Sequence, residues 1–153
     1  MPVTLEHRIG IQAPAEHIWA IVSDITAWPT WAPLYTRIDG ILRIGANWTL
    51  DVALEGLKPR TIKGEVLDWV PNEQIHVRFK AMRGLISNTR FLEIEALSEA
   101  NCIFANGEVF GGVLGARAAR AVRGPVRKGF AQMNEALKAR AEASWQAARD
   151  RPI

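Results

Sequence analysis

Apolar and polar residues alternate along most of the chain, and this pattern predicts a fold rich in β-strands. Residues 3–11 have an apolar side chain at every second position, which is typical of a strand with one buried face. Similar stretches run from Tyr35 to Phe110, separated by short turns such as Gly56–Pro59 and Pro71–Asn72. The spacing predicts an antiparallel meander, and with the first strand a sheet of about six or seven strands.

Two short helical segments are predicted after the first strand. Pro14 can begin a helix because the first helical N–H needs no partner, and apolar residues follow at helical spacing up to Ile25. Pro29 and Pro33 cannot both lie inside a regular helix. The stretch 28–33 is therefore expected to be a short helical turn with a large aromatic surface.

A long amphipathic helix is predicted near the C-terminus. Apolar residues recur at steps of three and four from Ala118 to Ala141, which places them on one stripe. Gly124–Pro125 interrupts the stripe and predicts a kink. After Ala141 we expect the chain to fray or project, because a continuous helix would exceed the width of a small domain. A curved sheet must cover its apolar face, and only this helix is long enough. We therefore expect an α+β fold in which the sheet wraps around the helix and leaves a cavity.

Residues 13–33 carry motifs that suggest a family. Ala13–Trp19 resembles the family's first helical turn, and Asp24 followed by Trp28-Pro29 and Trp31-Ala32-Pro33 resembles a stretch of the polyketide cyclase/dehydrase branch. The chain thus resembles the SRPBCC superfamily, which includes the StAR-related (START-like) lipid-transfer and Bet v 1-like proteins. The resemblance covers residues 3–140 and implies the helix-grip fold. The branch includes cyclases, dehydratases and transfer proteins, so the activity stays open.

The composition narrows the class of protein. A length of 153 residues fits one domain, and we expect residues 1–153 to form it. The 48% hydrophobic and 23% charged residues are ordinary for a globular protein. One cysteine, Cys102, excludes an internal disulfide framework. The histidines lack metal-ligand spacing and no nucleotide motif is present, so we expect no metal and no cofactor.

The same sequence gives expectations for location and partners. No apolar run reaches the roughly 18 residues of a membrane helix, and the first ten residues do not resemble a signal peptide, so we expect a cytoplasmic protein. Residues 111–153 carry a net charge of +6. This basic segment is either a solvated helix face or an interaction module for an acidic partner. Aromatic residues do not interleave its first arginines, so no nucleic acid is expected. A homodimer is compatible with the sequence.

Two neighbouring strands carry the polar residues of greatest interest. In the strand 85–97, Asn88 and Arg90 share the more apolar face, which predicts that they point into the cavity. Such side chains need partners when buried. Either they bind the polar end of a ligand, or a β-bulge or a salt bridge to another strand accounts for them.

The strand 102–110 places Asn106 and Glu108 on one face, but the pattern does not decide which face is inward. If they point inward, Glu108 would meet Arg90 as a buried pair, which is either a structural bridge or an acid/base site. His7 lies on the apolar face of the first strand. It is either a general acid/base or a core histidine bonded to a neighbour. His7, Arg90 and Glu108 are therefore the candidate catalytic residues.

The leading hypothesis is a carrier or binding protein for a small hydrophobic molecule, either aromatic, polyketide-like or acyl. The alternative is a cyclase/dehydratase-type enzyme that acts on such a ligand by acid/base chemistry. Aromatic residues near the predicted cavity and the inward polar residues are the candidate ligand contacts: Trp28, Trp31, Tyr35, Trp48, Phe79, Asn88, Arg90, Asn106 and Phe130.

Overall fold

The computed structural model describes residues 2–151, in which a seven-stranded antiparallel sheet curls around a long helix. The strands are β1 (Val3–Ile11), β2 (Tyr35–Asp39), β3 (Asn47–Val52), β4 (Arg60–Val70), β5 (Gln74–Ala81), β6 (Ile86–Ser98) and β7 (Asn101–Gly111). The helices are α1 (Ala15–Val22), a 3₁₀ helix (Ile25–Thr30), a short 3₁₀ turn (Met82–Gly84) and α2 (Gly115–Arg149). This arrangement confirms the predicted helix-grip fold.

The strand order determines which strands are neighbours and which two lie at the edges of the sheet. Strands β2 to β7 form a meander, and β1 joins the far edge beside β7, giving the order β1-β7-β6-β5-β4-β3-β2. Val3 lies opposite Phe110 at the start of that last pairing. Short turns connect the meander, as the Gly- and Pro-containing sequences between strands predict.

Helix α2 packs with the predicted apolar stripe against the sheet. It lies mainly against β1 and β7 at one side of the sheet. Its buried stripe residues meet a core that strands and the first helices contribute: Val126, Phe130, Met133, Leu137 and Ala141 on α2, with Leu5, Ile18, Trp48, Val66, Ile75 and Phe104 opposite. Because α2 sits toward one side, the strands at the other side are not fully covered by it.

The C-terminal end of α2 is helical beyond the predicted stripe. We expect the chain to fray or project after Ala141; it does not fray, because α2 continues to Arg149, and residues 146–149 are exposed. The reason for the continued helix is a contact with α1. His17 Nε2 lies 2.6 Å from Ser144 Oγ, and the rings of His17 and Trp145 have centroids 5.7 Å apart. These contacts extend the packed part of the helix by about one turn.

Within residues 2–151, no helix combines the length and the apolar character needed to cross a bilayer.

Candidate functional site

A cavity of about 450 Å³ lies between α2 and the strands that the helix leaves uncovered. Its walls are largely apolar, contributed by β3 to β7, by α2 and by the segment before β2: Leu34, Val52, Leu54, Ile62, Phe79, Ala81, Ile86, Phe110, Ala118, Val122, Val126 and Phe130. The polar lining residues are Arg60, Thr61, Lys63, Lys80, Asn88, Arg90 and Glu108, together with Tyr35. A volume of this size is within the usual range for small-molecule sites.

Arg90 is the central polar residue of the cavity wall, and only 6% of its surface is exposed. Its Nε and Nη2 atoms donate to the Tyr35 hydroxyl at 3.1 and 2.9 Å. Its Nη1 atom donates to Asn106 Oδ1 at 2.6 Å and to the Gly107 carbonyl at 2.8 Å. The guanidinium also lies 4.3 Å from the centre of the Phe130 ring. Arg90 is thus held by neutral oxygens and an aromatic face.

The bonds of Arg90 continue into a buried polar network. Asn106 Nδ2 donates to Asn134 Oδ1 at 3.1 Å, and both asparagines are fully buried. Asn134 Nδ2 in turn donates to the His7 carbonyl at 2.9 Å and lies 2.8 Å from His7 Nδ1. The network therefore joins β6, β7, α2 and β1 through paired side chains, as buried polar groups require.

Asn88 and Glu108 form a second, separate polar pair. Asn88 Nδ2 donates to Glu108 Oε2 at 2.8 Å. Asn88 is 9% exposed, and its Oδ1 atom is buried without a hydrogen-bond partner among the described residues. Unpaired buried acceptors are rare because each costs about 1–3 kcal/mol. Asn88 Oδ1 is thus an acceptor with unused bonding capacity, in a residue that lines the cavity.

The sequence left open whether Arg90 and Glu108 form a buried ion pair. The two residues are direct neighbours across β6 and β7, and both side chains line the cavity. No carboxylate of residues 2–151 lies within 4.0 Å of Arg90, however. The guanidinium turns toward Tyr35 and Asn106, while the carboxylate bonds to Asn88.

Two acidic groups of the cavity have perturbed protonation. Burial raises the pKa of Glu108 above its ordinary value, although Arg90 and the bond from Asn88 act in the opposite direction. Burial also raises the pKa of Tyr35, again opposed by Arg90. Tyr35 is therefore a neutral phenol that accepts two bonds from Arg90. Its own hydroxyl hydrogen has no acceptor among the described residues.

The aromatic candidates divide into lining and supporting residues. Tyr35, Phe79 and Phe130 line the cavity. Trp28 and Trp48 lie behind Tyr35, where the Trp28 ring stacks on Tyr35 at 5.4 Å and meets the Trp48 ring edge-on at 5.7 Å. They surround a second void of only about 10 Å³. The two tryptophans therefore support the cavity wall from behind.

Three other candidates also lie away from the lining. Trp31 is buried, and its Nε1 atom has no partner among the described residues. Asn106 and His7 reach the cavity only through the network that leads to Arg90.

Several lining or network residues were not singled out in the sequence. Asn134 occupies a buried position of the α2 stripe, four residues after Phe130, and this position was the available signal. Arg60, Lys63 and Lys80 lie at the ends of β4 and β5. Arg60 has the same phase in β4 as the inward residues Ile62 and Val66, so alternation could have identified it.

The acid/base groups of the site are not part of a cluster of metal-ligating side chains in the described part of the chain. Across residues 2–151, His, Cys, Asp and Glu side chains do not form a group of three that could hold a metal ion. The one cysteine, Cys102, is buried and donates to the Ala13 carbonyl at 3.3 Å, and burial raises the pKa of its thiol. It is a packed core residue.

Solved structures of other proteins share this fold. The Zhui aromatase/cyclase from Streptomyces is 16% identical, with a TM-score of 0.78 over 97% of this chain and 98% of that one. Norcoclaurine synthase from Thalictrum flavum is 13% identical, with a TM-score of 0.69 over 100% and 90%. A START superfamily protein from Mycobacterium smegmatis is 19% identical, with a TM-score of 0.71 over 92% and 98%. At these identities the likeness establishes the fold alone.

Sequence comparisons give the family. A comparison with curated protein sequences gives no match. The family model described as polyketide cyclase / dehydrase and lipid transport matches residues 2–142, which is nearly the whole chain and includes every residue that lines the cavity. The chain therefore belongs to the polyketide cyclase/dehydrase and lipid transport family.

Proposed function

We propose that this protein binds a small, largely apolar molecule in the cavity between the sheet and α2, as a carrier or binding protein. The observation that carries the proposal is the cavity itself, which has about 450 Å³ of space and mainly apolar walls. Burial of apolar ligand surface supplies roughly 25 cal/mol per Å², so a ligand that fills this space gains most of its affinity from the walls.

The polar groups of the cavity support binding of an oriented ligand. Asn88 Oδ1 lacks a partner, and the Tyr35 hydroxyl hydrogen lacks an acceptor among the described residues. The first atom accepts and the second donates a hydrogen bond. A hydroxyl group on an otherwise apolar ligand can donate to the first and accept from the second, whereas a ligand carbonyl can only accept from Tyr35; a few such contacts commonly fix the orientation of a ligand.

Binding is tested with N-phenyl-1-naphthylamine, a neutral apolar dye whose fluorescence rises in apolar surroundings. Ala118 lies half-buried in the cavity wall on α2, so the variant Ala118→Phe places a ring in the space. We expect this change to raise the Kd of the dye about tenfold or more, equivalent to about 1.4 kcal/mol. Mass spectrometry of small molecules retained by the purified protein would then identify the natural ligand.

The matched control is Ala121→Phe. Ala121 lies on the same helix but is exposed and outside the cavity wall. We expect the control to bind the dye as the wild type does. Absence of dye binding by the wild type, or equal binding by Ala118→Phe and the wild type, would contradict the proposal.

A second candidate function is acid/base catalysis on the bound ligand. The observation that favours it is the pair of cavity groups with raised pKa, Glu108 and Tyr35. Loss of water from a β-hydroxy carbonyl requires removal of one proton next to the carbonyl and protonation of the departing hydroxyl. The Glu108 carboxylate can take the proton next to the carbonyl and then, as the acid, give that proton to the departing hydroxyl, which leaves as water. The Tyr35 hydroxyl polarises the carbonyl oxygen. Glu108→Gln separates the two functions, because it would abolish turnover of a β-hydroxy ketone but leave dye binding unchanged.

A further inference from the structure

The wall of the cavity is split between β4 and β5. Backbone pairing of these strands begins at Gly64 opposite Phe79 and continues toward their connecting turn. Beyond Gly64 and Phe79, in the direction away from the turn, the two strands no longer pair with each other. Residues 60–63 of β4 pair only with β3, and residues 80–81 of β5 pair only with β6. The two strands therefore separate at their outer ends, and we call this opening the side portal.

The side portal leads into the cavity. Residues on both of its edges, 60–63 and 79–81, line the cavity. Its inner limit is the Phe79 ring, which covers Gly64 so closely that a Cβ atom at Gly64 would lie 2.5 Å from it. Only glycine fits at this position without moving the ring. The packed pair of Gly64 and Phe79 therefore marks where the pairing of β4 with β5 ends and the side portal begins.

The charges around the cavity are strongly unequal. Four cations line it, Arg60, Lys63, Lys80 and Arg90, against one carboxylate, Glu108. Within residues 2–151, none of these four cations lies within 4.0 Å of a carboxylate. Arg90 has neutral hydrogen-bond partners, whereas the other three are exposed at the edges of the side portal. A cleft with an excess of one charge attracts the opposite charge.

We propose that the ligand is an anionic amphiphile, whose apolar body fills the cavity while its carboxylate, sulfonate or phosphate group lies in the side portal among Arg60, Lys63 and Lys80. This proposal rests on the proposed function, since the cavity must accept an apolar body. It adds the chemical class of the ligand and its direction.

Two dyes with the same rings provide the test. 8-Anilino-1-naphthalenesulfonate carries a sulfonate that N-phenyl-1-naphthylamine lacks. In the triple variant Arg60→Gln, Lys63→Gln and Lys80→Gln, we expect the Kd of the sulfonate dye to rise about tenfold or more, which corresponds to loss of a screened ionic contact. The Kd of the neutral dye should change less than about twofold.

The control removes the same number of positive charges elsewhere. Arg43, Arg140 and Arg149 are exposed and outside the cavity lining, and the triple Gln variant of these residues should bind both dyes as the wild type does. Salt provides a measurement that needs no variant. Raising the ionic strength should weaken the sulfonate dye in the wild type but have little effect on the neutral dye.

The possible failures are distinguishable. If the neutral dye binds in the cavity but the portal variant does not weaken the sulfonate dye, or weakens both dyes equally, the anionic ligand is wrong and the cavity function stands. If neither dye binds the wild type, or Ala118→Phe weakens neither, the proposed function itself is wrong and this inference falls with it.

Discussion

Arg90 and Arg60 line the same cavity, but they differ in burial and in hydrogen-bond partners. Arg90 is buried and bonded to Tyr35, Asn106 and Gly107. Arg60 is exposed at the side portal and has no carboxylate within 4.0 Å among the described residues. The same contrast separates the two inward asparagines, because Asn106 is bonded at both ends and Asn88 at one.

The contrast indicates two kinds of polar residue in one cavity. The network from Arg90 through Asn106 and Asn134 to His7 is satisfied within the protein, which is what a structural role requires. The portal cations and the Asn88–Glu108 pair keep unused bonding capacity, which is what a ligand requires. Substitutions in the first group should mainly change the free energy of unfolding, and those in the second should mainly change binding.

The largest expected effect on the free energy of unfolding is at Phe130, whose ring lines the cavity and also lies against Arg90 of the buried network. The variant Phe130→Ala removes a ring that is 2% exposed and that lies 4.3 Å from the Arg90 guanidinium. Loss of a buried aromatic ring typically costs about 3–5 kcal/mol, measured by denaturant unfolding. Val122→Ala, a half-exposed cavity residue on the same helix, should cost about 1 kcal/mol or less. Equal losses at the two positions would remove the distinction between core and rim.

The variant Arg90→Ala is expected to cause the next largest loss of stability. It strands Asn106 Oδ1, which costs about 1–3 kcal/mol, and removes one hydrogen bond to the Gly107 carbonyl, which adds about 1 kcal/mol, so we expect a total of about 2–4 kcal/mol. Arg78→Ala on the outer face of β5 is the control and should change stability by less than about 0.5 kcal/mol. If Arg90→Ala leaves the stability unchanged but weakens dye binding, Arg90 belongs to the ligand-facing residues and not to the structural ones.

The two asparagines sharpen the comparison directly. Asn106→Ala should lower the free energy of unfolding by about 1–3 kcal/mol, because Arg90 and Asn134 each lose a partner. Asn88→Ala should cost less than about 1 kcal/mol, since only Glu108 loses a donor. The sequence positions are equivalent, both inward on neighbouring strands. Equal costs measured by thermal unfolding would contradict the division into structural and ligand-facing residues.

The smallest expected effect is a pH dependence at Glu108. Because folding raises the pKa of this carboxyl, the folded state holds its proton over a pH interval in which the unfolded state has lost it. The contribution of Glu108 to stability is therefore most favourable at low pH and declines as the pH rises through that interval. Glu108→Gln should remove this decline and raise the melting temperature at neutral pH relative to the wild type.

The control for that measurement is Glu65→Gln, an exposed carboxylate on the outer face of β4. Both proteins should be followed by thermal unfolding between pH 4 and pH 8, roughly the range in which carboxylates and their shifted forms titrate. An identical pH profile for the wild type and Glu108→Gln would show that folding does not perturb this carboxyl.

Regular alternation made the inward face of β6 predictable. The pairing of β6 with β7 is regular from Ser87 to Ala96, and the bulge lies beyond Ala96. Asn88 and Arg90 therefore keep the phase of their apolar neighbours, as expected from the sequence. The predicted stripe of α2 and the seven-stranded sheet were correct for the same reason, because each depends on a period that repeats over many residues.

The face of β7 could not be predicted because both of its faces are apolar. On the outer face Phe91 of β6 lies over Gly107, whose Cβ atom would meet the ring at 2.2 Å, and Ala105 is buried there as well. The partners of Arg90 were also hidden, since Tyr35 lies 55 positions away in the sequence and reaches the site only because the sheet curls. The side portal depends on where pairing stops, which alternation does not encode.

The position of β1 has a consequence for the order in which the chain assembles. Strands β2 to β7 each pair with a neighbour in sequence, so the meander can form while the chain is still being synthesised. Strand β1 is synthesised before the other strands but pairs only with β7. Val3 therefore cannot pair with Phe110 until Phe110 has left the ribosome. Its apolar face and α1 thus stay unpaired during most of synthesis. Pairing β1 with β7 closes a long loop, which has a large entropic cost and is therefore expected to be slow. Helix α2 follows β7 in the chain, so it can dock on β1 only after β7 has been made.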